Sequence, residues 1–166
     1  KVKGEKGTKI TLKFAETLYD DGTVNQENLR TTKAVNNRIA NDIYILKGEG
    51  EEQWEPAFTY HGFRYIQVEG FPYPPKNGDI QVKVVRSSVK PVGKFSCSNE
   101  LLNRIHKMVV TTETSNLHSI PTDCSQRVER MGWLNDLTVR IEQELYNFDF
   151  SRFYPKFIDD IKDDQG

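Results

Sequence analysis

Over the first 92 residues, apolar and polar positions alternate. In Lys9–Phe14, Ile10, Leu12 and Phe14 fall on one face and Lys9, Thr11 and Lys13 on the other, the pattern of a half-buried strand. The same pattern predicts strands at Ile43–Leu46, Ala57–Tyr60, Phe63–Val68 and Ile80–Val85. Asp20-Asp21-Gly22 and Asn77-Gly78 predict turns, because Gly and Asn adopt positive φ at little cost. Phe71-Pro-Tyr-Pro-Pro75 cannot occupy a central strand and reads as an extended loop. Short strands between turns predict an antiparallel β-sandwich over residues 1–92.

After Pro91-Val92-Gly93 the period lengthens. Leu101, Ile105, Met108 and Thr112 recur at helical spacing, with Ser98 as the expected N-cap and Glu100 in the first turn. A second helix is predicted over Asp136–Asn147, with Leu137, Ile141, Leu145 and Phe148 on one face. A third runs over Ser151–Asp163, carrying Phe153 or Tyr154, Phe157, Ile158 and Ile161; Pro155 is tolerable there only in the first turn. Gly166 stands where a helix C-terminus often ends. Three amphipathic helices bury little by themselves, so residues 93–166 either pack on the sandwich or, the favoured reading, begin a larger helical domain. The domain boundary falls near residues 91–97, and the fold class is α+β.

Composition narrows the partners. Of 166 residues, 23 are Lys or Arg and 24 Asp or Glu, giving a formal net charge of −1 and no electrostatic footprint for nucleic acid or an anionic membrane. No apolar run approaches the roughly 18 residues of a membrane span. The chain begins at Lys1 without Met or a signal peptide and is read as a processed or excised piece of a longer protein. Cys97 and Cys124 form no CxxC pair and have no His at metal-ligand spacing. They are read as two buried thiols, and neither a metal nor a cofactor is expected.

Candidate chemistry gathers in Thr122–Asp136, TDCSQRVERMGWLND, which has no apolar period. Asp123, Arg127, Glu129, Arg130 and Asp136 surround Cys124, Gly132 and Trp133. Singly these have ordinary explanations: a turn cap at Asp123, a solvated Glu129–Arg130 pair, a core Trp133. Two chemical readings compete with them. In one, Cys124 is a nucleophile with His118 as base and Asp123 as orienter, but no glycines flank Cys124 to build an oxyanion hole. In the other, carboxylates act as acid and base around a sugar that lies against the flat face of Trp133. Asp123, Glu129 and Asp136 supply the carboxyls, and crowding of like charges raises a carboxyl pKa as an acid catalyst requires.

The segment Asp123-Cys-Ser-Gln-Arg-Val-Glu-Arg-Met-Gly-Trp-Leu-Asn-Asp136 resembles the signature of the bacterial α-L-rhamnosidases, usually written DCPQRDERLGWTGD. Flanking stretches extend the resemblance over nearly the whole chain. Gly93-Lys-Phe-Ser-Cys-Ser-Asn-Glu-Leu-Leu102 is similar to the start of that family's helical catalytic domain. Tyr146-Asn-Phe-Asp149 and Asp159-Asp-Ile-Lys-Asp-Asp-Gln165 are similar to the helices after the signature. Phe58-Thr-Tyr-His-Gly-Phe-Arg-Tyr65 and Ala15-Glu-Thr-Leu18 with Asp21-Gly22 resemble the preceding sandwich.

The resemblance implies an inverting glycoside hydrolase with an (α/α)6-barrel behind a β-sandwich. It makes Glu129 the general acid, Asp123 and Asp136 carboxylates that hold rhamnose hydroxyls, and Trp133 the aromatic wall. Arg130 is placed in the substrate site, where it can pair with a neighbouring carboxylate. The water-activating base is a second glutamate in later barrel helices, outside these residues. The implied partners are rhamnose-containing glycans or glycosides and the rest of the parent chain. Such glycans are met outside the cytoplasm or after uptake.

The departures from the signature include Ser125 for proline, Val128 for an aspartate, and Leu134-Asn135 for Thr-Gly. Val128 and Asn135 motivate an alternative, a carbohydrate-binding or scaffold relative that kept the fold without the chemistry. Tyr60, His61, Phe63, Arg64 and Tyr65 are open to two readings, a sugar-binding edge or strand-pair core aromatics.

Overall fold

A computed structural model describes residues 1–29, 40–127 and 129–165. The chain divides into two compact units, Lys1–Val84 with Ser125–Glu129, and Val85–Cys124 with Arg130–Gly166. The first contains β1 (Val2–Lys3), β2 (Lys9–Ala15), β3 (Thr17–Leu18), β4 (Val24–Asn25), β5 (Asn41–Ile45), β6 (Glu51–Glu52) and β7 (Tyr65–Glu69). The second contains β8 (Lys90–Pro91), α1 (Glu100–Ser115), β9 (Leu117–His118), β10 (Ile120–Pro121), α2 (Leu134–Asn147), β11 (Phe148–Asp149) and α3 (Phe153–Asp164). The expected order of antiparallel strands followed by helices is observed, and the chain is α+β. None of the described helices is long and apolar enough to cross a membrane.

In the first unit, β2 is the centre of a three-stranded antiparallel sheet in the order β5-β2-β7. Its alternation does what the sequence predicts: Ile10 and Phe14 are buried, and Leu12 packs beside them. Ile10 faces Tyr44 across the sheet, and Phe14 faces Ile66. Two clusters result, one around Val2, Ile10 and Leu46, the other around Phe14, Leu29 and Ala40. Both predicted turns form, with Gly22 and Gly78 at positive φ.

Two predicted strands are absent. In Ala57–Tyr60, Phe58 takes a positive φ of 62° with its ring in solvent, which interrupts the extended run. Beyond a bridge between Asn77 and Ile80, residues 81–85 pair with no strand among the described residues, and Val82, Val84 and Val85 are exposed. Alternation makes an extended chain, but a strand also needs a partner for its backbone groups. β5 forms with an unexpected facing. Ile43 and Ile45 point to solvent, whereas Asp42 is buried against His61 (Nε2 to Oδ1, 2.9 Å).

In the second unit, β8 pairs with β11, so the chain near residue 90 lies beside the end of α2. The Val92 and Gly93 N–H groups both donate to the Asn147 carbonyl (2.9 and 3.2 Å). A Cβ on Gly93 would stand 1.9 Å from the Tyr146 carbonyl oxygen, so only glycine permits this approach. Val89, Leu117, Phe148 and Phe150 form the core, with Val110, Phe153 and Tyr154 packed around them.

The helices start differently from expectation. Asn99, not Ser98, caps α1: its Oδ1 accepts from the N–H groups of Leu101 (3.0 Å) and Leu102 (3.4 Å). Asparagine and serine cap about equally well, so local sequence does not separate them. α2 begins at Leu134 and α3 at Phe153, with Pro155 in the first turn where its missing N–H costs nothing. The proposed helix end at Gly166 lies outside the described residues.

The orientation of α1 is the larger departure. Its predicted apolar stripe, Leu101, Ile105 and Met108, is exposed. The stripe turned inward is Asn103, His106, Val110 and Glu113, of which Glu113 is fully buried. α2 likewise buries Leu137 and Glu144 and exposes Val139, Leu145 and Tyr146.

Candidate active site

The segment after β10 is anchored before it carries any chemistry. Buried Thr122 donates both its N–H (2.8 Å) and its hydroxyl (3.0 Å) to the Asn116 carbonyl at the end of α1. The next residue closes a loop. The Asp123 N–H donates to the Met131 carbonyl (2.9 Å), and the Met131 N–H donates to Asp123 Oδ1 (2.7 Å). One oxygen of the predicted sugar-holding carboxylate therefore already has a partner in the loop.

Arg130 precedes Met131 and adopts φ of 49°, a conformation that crowds the Cβ of any L-residue. The reciprocal Asp123–Met131 pair holds the backbone against that strain. Gly132 follows, where an added Cβ would meet Ile120 at 3.2 Å and Phe157 at 3.5 Å. Trp133 then provides the N-cap position of α2 without a side-chain cap, and it is 50% exposed. Asp136 sits exposed in the first turn, where the helix dipole favours a carboxylate. The loop closure thus draws Asp123 beside the Arg130–Trp133 run that leads into Asp136.

Ser125–Glu129 belong with the first unit. The Gly62 N–H donates to the Ser125 carbonyl (3.0 Å), and a Cβ on Gly62 would lie 2.5 Å from Ser125 Oγ. That bond uses a carbonyl, which proline also possesses, so the Ser125 departure leaves this anchor intact. Glu129 is exposed and lies 3.7 Å from Arg127 Nη2. At this exposure the Arg127–Glu129 ion pair contributes under about 1 kcal/mol. Val128 lies outside the described residues.

The thiol chemistry finds no support. Cys124 is 6% exposed, closed to a substrate, and neither cysteine is in a disulfide. Burial, and secondarily the charge of Arg130, hold the His118 imidazole below its ordinary pKa, while the bond to Ser115 acts the other way. Its Nε2 lies 3.1 Å from the Ser115 carbonyl and so carries the proton of the neutral ring. Two members of the aromatic run of the first unit pack inward. His61 stacks on Phe14 at 4.2 Å and Phe63 packs at 5.1 Å from the same ring, so both are core.

Sequence reading missed one group of residues. Glu113 and Glu144 are buried at 3% and 0% exposure on facing turns of α1 and α2, with Arg140 between them. Burial, then the hydrogen bond and charge of Glu113, push the Glu144 carboxyl up to about 9; Arg140 pulls it down less. A carboxyl protonated at neutral pH is what an acid catalyst needs, but Glu144 is enclosed and cannot reach a glycosidic oxygen. In sequence, the only hint is the Arg140–Glu144 spacing of four, which on most helices marks a solvated pair.

Two family models match the chain end to end: the bacterial α-L-rhamnosidase concanavalin-like domain over residues 1–86, and the bacterial α-L-rhamnosidase 6-hairpin glycosidase domain over residues 90–166. The chain belongs to the bacterial α-L-rhamnosidase family. An α-L-rhamnosidase of Streptomyces avermitilis is 38% identical over 99% of this chain, which spans 15% of that relative's length. One from Formosa agariphila is 35% identical over 99% of the chain and 17% of its own length. The solved α-L-rhamnosidase of Dictyoglumus thermophilum superposes with a TM-score of 0.88 at 47% identity, over 99% of this chain and 18% of that one. The Streptomyces avermitilis α-L-rhamnosidase complexed with L-rhamnose gives 0.86 at 38% identity, over 99% of this chain and 16% of that one. These rhamnosidases are thus roughly six times the length matched here.

Proposed function

We propose that the protein carrying this chain is an inverting α-L-rhamnosidase acting on rhamnose-containing glycans or glycosides, with no nucleic-acid partner. Residues 1–92 are its β-sandwich and residues 93–166 the first helices of its (α/α)6-barrel. Glu129 protonates the departing glycosidic oxygen. Asp123 through Oδ2 and Asp136 hold rhamnose hydroxyls, Trp133 presents its exposed face to the pyranose ring, and Arg130 lies in the same site. The exposed Trp133 carries the reading: a large aromatic left half in solvent beside two carboxylates is a sugar platform rather than core. A relative of 38% identity binds L-rhamnose in its crystal, which supports this choice of sugar.

Inversion needs a second carboxyl about 6.5–9.5 Å from the acid, with water between it and the ring. The family resemblance assigns that base to later barrel helices. The outward apolar stripe of α1 and the exposed apolar residues of α2 supply the surface on which such helices pack.

The test is Glu129→Gln in the full-length protein, assayed on an aryl α-L-rhamnoside and on a rhamnoside with a poor leaving group. Loss of protonation should abolish turnover of the second far more than the first. Retained activity on the poor-leaving-group substrate sinks the assignment. Binding of rhamnose with no turnover by the wild type instead establishes the non-catalytic relative that Val128 and Asn135 suggest.

A further inference from the structure

The interface between α1 and α2 is polar where a helix pair is ordinarily apolar. His106 Nε2 lies 2.9 Å from Asn147 Oδ1, and Asn147 in turn donates to the Gln143 carbonyl (2.7 Å). Two turns along α1, Glu113 Oε2 accepts from Gln143 Nε2 (3.2 Å), and Glu113 Oε1 lies 3.6 Å from Arg140 Nη1. Arg140 Nε is 3.2 Å from Glu144 Oε1. The pairs 106 with 147 and 113 with 140–144 run in opposite directions along the two helices, so this seam fixes their antiparallel register.

Charge alone would not hold it together. Two carboxylates share one guanidinium; Gln143 takes Glu113 Oε2, while Glu144 Oε2 has no hydrogen-bond partner. As anions, Glu113 and Glu144 offer each other only acceptors. A proton on Glu144 turns one of its oxygens into a donor toward Glu113 and leaves one negative charge against Arg140. The charges acting on Glu144 are Glu113 from α1 and Arg140 from its own helix, and burial adds to the preference for the protonated form.

α2 carries this seam on the same helix that begins at the sugar platform. Asp136, Arg140 and Glu144 are spaced by four, so they rise along one stripe of the helix. At the N-cap position of α2, Trp133 makes no side-chain capping hydrogen bond. We propose that Glu113, Arg140 and Glu144 form a proton-locked clamp that positions the first turn of α2, and with it Trp133 and Asp136, for sugar binding. The three are positioning residues that touch no substrate, and their effect on catalysis rests on the rhamnosidase reading above.

The experiment compares wild type with Glu144→Gln and Glu144→Leu in the full-length protein. KM and kcat are measured on an aryl α-L-rhamnoside between about pH 6 and 10. Amide hydrogen exchange over residues 134–147 is followed on the same proteins. Glutamine mimics the protonated acid and should keep KM within about threefold of wild type at neutral pH. It should also remove the alkaline rise in KM expected of wild type as Glu144 ionises. Leucine should raise KM by about tenfold or more with kcat changed far less, and should speed exchange in the first turns of α2.

An alkaline KM limb that is the same in Glu144→Gln and wild type overturns the clamp, as does a leucine variant with unaltered KM. If wild type hydrolyses no rhamnoside, the functional reading fails, and exchange then decides the clamp separately. Faster exchange in leucine but not glutamine supports it; equal exchange in all three overturns it.

Discussion

Asp123 has two duties in this reading, and replacing it by Asn or by Ala separates them. Oδ1 accepts the Met131 N–H at 2.7 Å and closes the loop, while Oδ2 is assigned to a rhamnose hydroxyl. Asn can keep its oxygen on Met131, trading a charged acceptor for a neutral one. The Met131 N–H is at an exposed position where water can substitute, so Asn should cost the fold under about 1 kcal/mol and Ala about 1.5 kcal/mol. The sugar contact is lost in both. A charge-assisted hydrogen bond realised on the substrate is worth about 1.5–3 kcal/mol, or roughly 10- to 150-fold in kcat/KM. Asp123→Asn should therefore lower kcat/KM on an aryl α-L-rhamnoside by that factor while Tm barely moves. Asp123→Ala should lose at least as much activity and also open the loop to trypsin at Arg127 and Arg130. A kcat/KM for the Asn variant within about threefold of wild type removes Asp123 from the sugar site. Equal tryptic cleavage of the two variants shows that the Met131 bond does not close the loop.

Three further outcomes follow from the structure. The Glu144 pKa rises from 4.5 unfolded to about 9 folded, so the folded state binds the extra proton; its stabilisation is full below about pH 4.5 and is lost as pH rises through about 9. Measured as Tm, wild type should lose ground to Glu144→Gln steadily across that window, and a constant difference would contradict the protonated state. Asn99→Ala should destabilise by about 1 kcal/mol in urea titration, with Asn99→Ser nearly neutral, because one side-chain oxygen caps the α1 N–H groups of Leu101 and Leu102. Gly62→Ala places a Cβ 2.5 Å from Ser125 Oγ and 2.9 Å from the Gln126 nitrogen; the hydroxyl can rotate away but the backbone cannot. The cost should be about 1–3 kcal/mol, and adding Ser125→Ala should recover little of it.

How much of this was legible in the sequence depends on whether a residue's partner is local. β2 was, because Ile10, Leu12 and Phe14 alternate and also bury. β5 was legible as a strand but not in its facing: hydrophobicity puts Ile43 and Ile45 inside, yet Asp42 is held inside by His61, nineteen residues away. The signature residues were legible through resemblance. The Asp123–Met131 closure was not, since it depends on a positive φ at Arg130 that no local rule assigns to arginine.

The helices show why periodicity names an element without orienting it. In α1 the apolar residues Leu101, Ile105 and Met108 define the period and sit outside, while His106 and Glu113 face the rest of the unit. In isolation that inversion would be unstable, since apolar surface gains nothing in water and buried carboxyls lose solvation. It is stable only if each face is matched. The inner face is matched by Gln143, Arg140, Glu144 and a proton, and the outer is the face on which, in the proposed reading, a barrel's next helices pack. A helix with charges inside and leucines outside is therefore a helix between two layers, and the same two-sided demand explains why Glu144 must be neutral where sequence alone would write it as a surface anion.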